Sequence, residues 1–216
     1  MRGHGVCTCD GPPMKNKFSL IATVAVVCLF GGIAAHADPL YFSATLSGPA
    51  ESPPNASTGT GSAWVIYDAN AHSLSVHVDF TGLVSNTTAS HIHAATDVAG
   101  DGTAGVATQT PSFTGFPLGV KAGTYDHVFD LTVDSSWNAS FITANGGNAA
   151  GAEAFFADAL LAGKTYLNIH TEMSPRGEIR GFLNRVPDSS ATSGLLLSGL
   201  SVLGWIARRQ NVIRSV

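Results

Sequence analysis

The chain has 216 residues, of which 44% are apolar and only 12% charged, and its formal net charge is −4. Between residues 38 and 185, five basic residues stand against thirteen acidic ones, which leaves a balance of −8. This sparse, acidic surface argues against a nucleic-acid partner, because affinity for nucleic acid comes from neutralising phosphates.

The first 37 residues are organised like a secretory signal peptide. Lys15 and Lys17 precede an apolar run from residue 18 to about 35, and the run closes on the small-x-small tripeptide of residues 35–37. A basic start, an apolar middle and a small-residue exit are the parts of an export signal. We therefore predict that residues 1–37 are removed and that the mature protein leaves the cytoplasm.

Met14 stands where such a signal peptide normally begins, so residues 1–13 are interpreted as an upstream extension, either a mis-assigned start or a genuine addition. All three cysteines, Cys7, Cys9 and Cys28, lie in the N-terminal segment. Cleavage would leave a mature domain without cysteine, and therefore without disulfide bonds, although it leaves the reducing cytosol.

Residues 38–185 have the size of one domain, and their pattern is all-β. Many short strands separated by turns predict a Greek-key β-sandwich or barrel, for which a superoxide-dismutase-like architecture is possible. One short helix is expected at about residues 151–161, and residues 97–123 form a long loop or weak edge strands. The predicted strands cover residues 40–46, 62–68, 74–80, 89–94, 127–133, 165–171 and 177–184.

Two of these strands carry three histidines on their polar faces. In the first strand, His91 and His93 point away from Ile92. In the second strand, His170 shares a face with Asn168, and the apolar residues take the other face. If the apolar residues form the core, three imidazoles lie on the side away from it. That side is then either a metal site or a polar outer surface.

Both alternatives have a physical basis. Two histidines at i and i+2 on one strand, with a third from a neighbouring strand, can converge on one ion, and imidazole suits copper and zinc. On a polar surface, the same histidines would instead hydrogen-bond Ser90, Asn168, Thr171 or the backbone across the ladder. A structure with the imidazoles more than about 8 Å apart would exclude the metal site, because metal–nitrogen bonds are only about 2.0–2.1 Å long.

The remaining polar residues carry weaker signals. Glu178 is interpreted as the partner of Arg176 or Arg180 in an ion pair rather than as a catalytic group. The other histidines of the domain are scattered and are interpreted as surface residues. They are His72, His77 and His127.

The C-terminus has a second localisation pattern. An apolar stretch from about residue 191 to 207 is near the lower limit for spanning a bilayer, and the basic residues after it would stay on the cytoplasmic side. The motif consists of Val186, Pro187, Asp188 and Ser189 before the stretch, and Arg208 and Arg209 after it.

This layout resembles the PEP-CTERM class of bacterial sorting signals, in the variant headed by Val-Pro-Asp-Ser. The resemblance implies that a membrane transpeptidase cuts near the motif and passes the protein to the envelope or the medium. The alternative is an ordinary C-terminal membrane anchor that is never cut. The domain organisation is then 1–37, 38–185 and 186–216, and both alternatives keep the domain outside the cytoplasm.

A set of short motifs between residues 40 and 183 resembles the chordin-type domain, CHRD. It comprises Phe42-x-Ala44-x-Leu46-Ser47-Gly48, Glu51-x-Pro53-Pro54, Gly59-x-Gly61-x-Ala63, Thr81-Gly82-Leu83, Ser90-His91-Ile92-His93, Gly163-Lys164-x-Tyr166-Leu167-Asn168-Ile169-His170-Thr171 and Gly177-Glu178-Ile179-Arg180-Gly181. The resemblance implies an extracellular β domain with no established reaction. It marks Asn168, Glu178 and Arg180 as motif residues beside the histidines.

A more chemical resemblance concerns the copper/zinc superoxide dismutases. The stretch from Gly82 through His91 and His93 to Gly105 is similar to their copper-site strand and following loop, and His170 follows an apolar strand that is similar to a later ligand strand. The resemblance implies His91, His93 and His170 as copper ligands. No bridging histidine, zinc-ligand cluster or disulfide accompanies them, so a shared architecture with a metal site is favoured over a superoxide dismutase.

Two functions follow. The leading interpretation is an exported binding or matrix module of the cell surface, whose partner is an extracellular polysaccharide or protein, because no catalytic set is recognisable. The competing interpretation is a copper or zinc protein, with a possible redox role, that uses His91, His93 and His170.

Overall fold

The computed structural model describes residues 37–187, which form an all-β domain around one antiparallel sheet. The strands are β1 (Leu40–Ser47), β2 (Thr60–Asp68), β3 (Ser73–Thr81), β4 (Thr87–His93), β5 (Gly123–Asp130), β6 (Tyr166–Thr171), β7 (Ile179–Phe182) and β8 (Asn184–Arg185). Across the sheet their order is β4, β6, β7, β1, β2, β3 and β5, with β8 paired to β1. The predicted all-β sandwich or barrel class is confirmed.

Strict alternation of apolar and polar residues decides which face of the sheet is the core. In β3, Leu74, Val76 and Val78 are buried, whereas the residues between them are partly exposed. The β2–β3 hairpin holds this register because the carboxylate of Asp68 accepts hydrogen bonds from the amides of Asn70 and Ala71 in the turn. The strands therefore present one continuous apolar face to the interior.

Two α-helices pack on this core, where one was predicted. Helix α2 (Ala149–Leu161) matches the expected helix with a start two residues earlier, because Asn148 caps it by accepting from the amide of Gly151 at 2.8 Å. Helix α1 (Ala139–Ala144) was not predicted. It is only one and a half turns long, and its buried residues are the adjacent Phe141 and Ile142, which give no helical periodicity.

Both ends of one predicted strand were also displaced. The strand predicted at residues 127–133 is β5, which starts four residues earlier and ends at Asp130. Its carboxylate accepts from both the amide and the hydroxyl of Thr132, at 2.9 and 2.6 Å, and this local turn ends the strand. The alternation continues beyond the turn in sequence, which is why pattern alone extended the strand.

The long segment between β4 and β5 is a loop, and it follows the free edge of β4. The amides of Ala107, Phe113 and Gly119 donate to the carbonyls of β4 residues at 2.9–3.1 Å. These hydrogen bonds satisfy backbone groups that an edge strand would otherwise expose. The loop therefore shields both the edge of β4 and the side chains beside it.

The two predicted localisation signals fall largely outside the described residues. The proposed signal peptide ends at the first described residue, Ala37, and Asp188, Ser189, Arg208 and Arg209 lie beyond the last one, Pro187. Val186 donates its amide to the carbonyl of Tyr41 at 2.8 Å. Within residues 37–187, no helix has both the length and the apolar character needed to cross a membrane.

Helix α2 provides a test of the core. Phe156 is fully buried and meets Trp137 edge-on at 5.4 Å, whereas the neighbouring Phe155 is 43% exposed. We expect Phe156→Ala to lower the free energy of unfolding by about 3–5 kcal/mol, because it leaves a cavity. We expect Phe155→Ala to cost less than about 1 kcal/mol. Denaturant unfolding measures both, and equal losses would contradict this packing of α2.

Candidate metal centre

Strands β4 and β6 are neighbours in the sheet, and their register brings the three histidines together. Ala89 of β4 lies opposite His170 of β6, so His91 is the diagonal neighbour of His170 on the same face. The ring centroids are 5.2 Å apart for His91 and His170, 5.9 Å for His91 and His93, and 6.0 Å for His93 and His170. The structure thus gathers all three predicted ligands into one cluster.

The cluster is buried and does not form an open polar surface. His91 and His93 are 6% and 8% exposed, and His170 is only partly exposed. The cover comes from the loop after β4 and from the short loop after β6, both of which bring backbone carbonyls up to the rings. The face of β4 and β6 opposite the core is therefore also largely shielded from solvent.

Each imidazole is held by one hydrogen bond to a backbone carbonyl. Nε2 of His91 lies 2.7 Å from the carbonyl oxygen of Pro111, and Nδ1 of His93 lies 2.9 Å from that of Ala104. Nδ1 of His170 lies 3.1 Å from the carbonyl of Pro175. A carbonyl oxygen can only accept, so each of these nitrogens carries the proton and donates. The three tautomers are thereby fixed.

The other nitrogen of each ring is an unprotonated acceptor. Among the described residues, Nδ1 of His91 and Nε2 of His93 and His170 are buried without a hydrogen-bond partner. One ring nitrogen from each histidine lies within 4.8 Å of those of the other two. Three nitrogens bound to a single ion at 2.0–2.1 Å would be about 3.3–3.6 Å apart, so the nitrogens would have to approach one another by at most about 1.5 Å to coordinate it.

Burial keeps these imidazoles neutral at neutral pH. Desolvation lowers the pKa of His91 and of His93 to about 4, although their carbonyl partners act in the opposite direction. Burial also lowers the pKa of His170. Metal ions bind the neutral form of histidine, so protons compete weakly with a metal at this cluster.

Two of the side chains expected as partners of merely structural histidines are engaged elsewhere. The hydroxyl of Ser90 donates to the carbonyl of Asn168 at 3.0 Å, and the hydroxyl of Thr171 donates to Glu178 at 2.6 Å. Within residues 37–187, no side-chain partner takes up the free ring nitrogens. Each ring therefore makes the kind of backbone hydrogen bond that a structural role predicts, and its second nitrogen is left without a partner.

The profile of the CHRD domain matches residues 42–183, which contain the whole cluster. The chain belongs to the CHRD domain family. Neither a curated protein nor a solved structure matches the chain. The resemblance inferred from the sequence motifs is confirmed for this domain, and the CHRD motif residues can now be placed around the histidines.

Tyr166 and Arg180 form a layered stack beside the cluster. The Tyr166 ring stacks on the His93 ring, with the two centroids 4.7 Å apart. The Arg180 guanidinium lies over the same Tyr166 ring, 4.7 Å from its centroid. Arg180 also donates to the carbonyls of Ala50 and Gly102. This CHRD motif residue therefore links the loop after β1 to the loop that covers the histidines.

Glu51 is the acidic neighbour of Arg180. Its Oε2 lies 3.9 Å from Nε of Arg180, and both side chains are buried. Burial raises the pKa of Glu51 to about 7, although Arg180, the Ser52 amide and Asn168 lower it. The pair therefore lies between neutral and positive overall at neutral pH. Gly177 leaves room for it, because a Cβ there would lie 2.7 Å from Glu51 and 2.5 Å from Asn168.

Glu178 does not form the ion pair that was predicted from its spacing to Arg176 or Arg180. Its Oε1 accepts from the hydroxyl of Ser57 and the amide of Val84, both at 2.7 Å, and its Oε2 accepts from Thr171. Burial opposes ionisation of Glu178, but these hydrogen bonds outweigh it and hold its pKa below the usual range. Glu178 thus anchors two loops to the end of β6.

Sequence reasoning missed the residues that orient the rings. Ala104, Pro111 and Pro175 act through backbone carbonyls, which every residue has, so no residue type could signal them. Glu51 and Tyr166 were visible as motif positions, but the stacking of Tyr166 on His93 and the pairing of Glu51 with Arg180 depend on strand order. The chemistry-bearing atoms were thus predictable, whereas the groups that position them were not.

The buried histidines predict an acid-sensitive fold. A histidine with a folded pKa of about 4 and an ordinary unfolded value of about 6.5 stabilises the fold fully above pH 6.5. That stability is lost as the pH falls towards 4. Glu51, with its raised pKa, works in the opposite sense, and it loses its contribution as the pH rises through 7.

We expect His91→Gln to reduce the dependence of unfolding free energy on pH between 6.5 and 4.5, by at most about 1.4 kcal/mol per pH unit. Urea unfolding in the presence of a chelator measures the slope, and the chelator keeps any metal out of the comparison. Glu51 is unchanged in both proteins, so its contribution cancels. Identical slopes would show that His91 titrates alike in the folded and unfolded states.

Proposed function

We propose that this chain is an exported, surface-directed CHRD module whose binding site holds a copper or zinc ion. His91, His93 and His170 are the ligands in this proposal. The observation that carries it is the cluster itself: a ring nitrogen of each histidine lies within 4.8 Å of those of the other two. Each ring also has one buried nitrogen without a hydrogen-bond partner. An ion shared among them would satisfy all three at once.

The surrounding residues support this function. The carbonyls of Ala104, Pro111 and Pro175 hold the rings in place by accepting a hydrogen bond from one nitrogen of each ring. Histidines that bind metal ions are commonly oriented by such a hydrogen bond. Tyr166 and Arg180 pack beside the cluster and support the His93 ring. The bound ion supplies Lewis acidity or, for copper, a redox couple. The chain's own residues fix the imidazoles, keep them neutral and restrict access.

A metal titration tests the proposal. The full-length chain is used with Cys7, Cys9 and Cys28 replaced by serine, because thiolates would bind copper themselves. We expect about one copper or zinc ion per chain after desalting, lost in the double variant His91→Ala/His93→Ala. His127→Gln serves as the control, because His127 lies on β5 outside the cluster.

The metal should also stabilise the fold. Binding at one hundred times the dissociation constant raises the free energy of unfolding by about 2.7 kcal/mol. We expect this increase in the unaltered site and in His127→Gln. The proposal is wrong if micromolar metal does not bind, or if the double variant retains the same stoichiometry as the control.

Export of the module is part of the proposal and is supported by the two terminal patterns of the sequence. Cell fractionation in the native host checks it. We expect the domain in the envelope or the medium, shortened at the N-terminus by about 37 residues, a length read from the cleavage pattern. Accumulation of the intact chain in the cytoplasm would contradict export. The transpeptidase and a polysaccharide or protein partner stay predictions.

A further inference from the structure

The three-histidine cluster contributes no negative charge to an ion. All three ligands are neutral imidazoles, and each outer partner is a neutral backbone carbonyl. In the described part of the chain, the group of possible ligand residues contains these histidines and no Asp, Glu or Cys. An ion bound here would keep its full charge in a mostly buried site.

A positive charge lies close to the cluster. Arg180 lies over Tyr166, which stacks directly on His93, and the guanidinium acts on His93 to disfavour its protonated form. The carboxylate that could offset Arg180 is Glu51, at 3.9 Å. Burial raises the pKa of Glu51 to about 7, so it offsets that charge only in part at neutral pH.

We infer that the cluster of His91, His93 and His170 is selective for a monovalent ion, copper(I), over copper(II) and zinc(II). The inference rests on the proposed metal-binding function and adds the charge of the ion. The cost of removing an ion from water grows with the square of its charge, so a divalent ion costs about four times as much as a monovalent one. Neither the neutral ligands nor the surrounding charges compensate for the additional desolvation cost of the divalent ion.

Coordination number points the same way. Structural zinc sites have four protein ligands, zinc held by three histidines needs a water as its fourth ligand, and copper(II) prefers tetragonal surroundings. The described residues offer three nitrogens, and two of the three histidines are buried. A fourth ligand would have to be water entering past His170, the most exposed of the three. Copper(I) has no such requirement.

The first arm of the test is a competition at the unaltered site. The full-length chain with its three cysteines replaced by serine is loaded anaerobically with copper(I) supplied as its bicinchoninate complex, and zinc(II) or copper(II) is then added in tenfold excess. We expect the chain to retain copper(I). Displacement of copper(I) by zinc(II) would overturn the selectivity and leave the proposed metal-binding function intact.

The second arm tests the charge argument. Glu51→Gln removes a negative charge near the site at almost constant shape, and it is measured at pH 8, where Glu51 is mostly ionised. Since a carboxylate stabilises a divalent ion more than a monovalent one, its loss should raise the ratio of the copper(II) to the copper(I) dissociation constant. We expect a rise of about threefold to tenfold.

The control is Asp126→Asn, which removes an exposed carboxylate that is bound to His77 on β3. We expect no change in the ratio, because solvent screens that charge. An equal ratio in Glu51→Gln and the unaltered site would overturn the charge argument. If Glu51→Gln does not fold, the competition at the unaltered site decides the inference. Loss of all metal binding, or binding that survives His91→Ala/His93→Ala, would instead refute the metal site itself.

Discussion

Three hydrogen bonds from imidazole to backbone carbonyl determine the character of the side of the sheet that faces away from the core. If β4 and β6 were ordinary half-buried strands, this face would be exposed to solvent. Here the loops that follow the two strands cover it, and they do so by bringing carbonyl oxygens onto His91, His93 and His170. The same bonds that attach the loops also fix the ring tautomers.

The charged residues of the CHRD motifs reinforce this arrangement from the side. Glu178 holds the residue 57 and residue 84 loops at the end of β6, and it remains ionised because hydroxyls and amides solvate it. Arg180, two residues further along the chain, contacts Glu51 and donates a hydrogen bond to the loop above the histidines. A buried charge is tolerated only with such partners. Replacing Glu178 or Arg180 would therefore weaken the attachment of the loops that cover the site, and the effect would extend beyond one contact.

Sequence periodicity was sufficient to locate most strands and the face on which each histidine lies, although it misplaced β5 and merged β7 and β8 into one strand. Alternation around Ile92 and between Leu167 and Ile169 carries that information, because side chains in a strand have a period of two. It could not give the order of strands, which places β6 beside β4 although more than 70 residues separate them. It also could not show that the polar face is covered. That depends on carbonyl groups in the segment between residues 94 and 122, where residue type carries little signal.

The energetics of unpaired groups is the argument for the proposed metal site over a purely structural role of the histidines. A buried acceptor without a partner costs about 1–3 kcal/mol, while replacing both members of a bond by apolar groups is often nearly neutral. A fold that only needed the loops attached would be served better by apolar side chains at these three positions. Keeping three inward acceptors in fixed tautomers is unfavourable for the domain alone. In the proposed site, one cation bound to all three nitrogens would offset this cost, and the neutral ligands together with Arg180 would favour the cation of lowest charge.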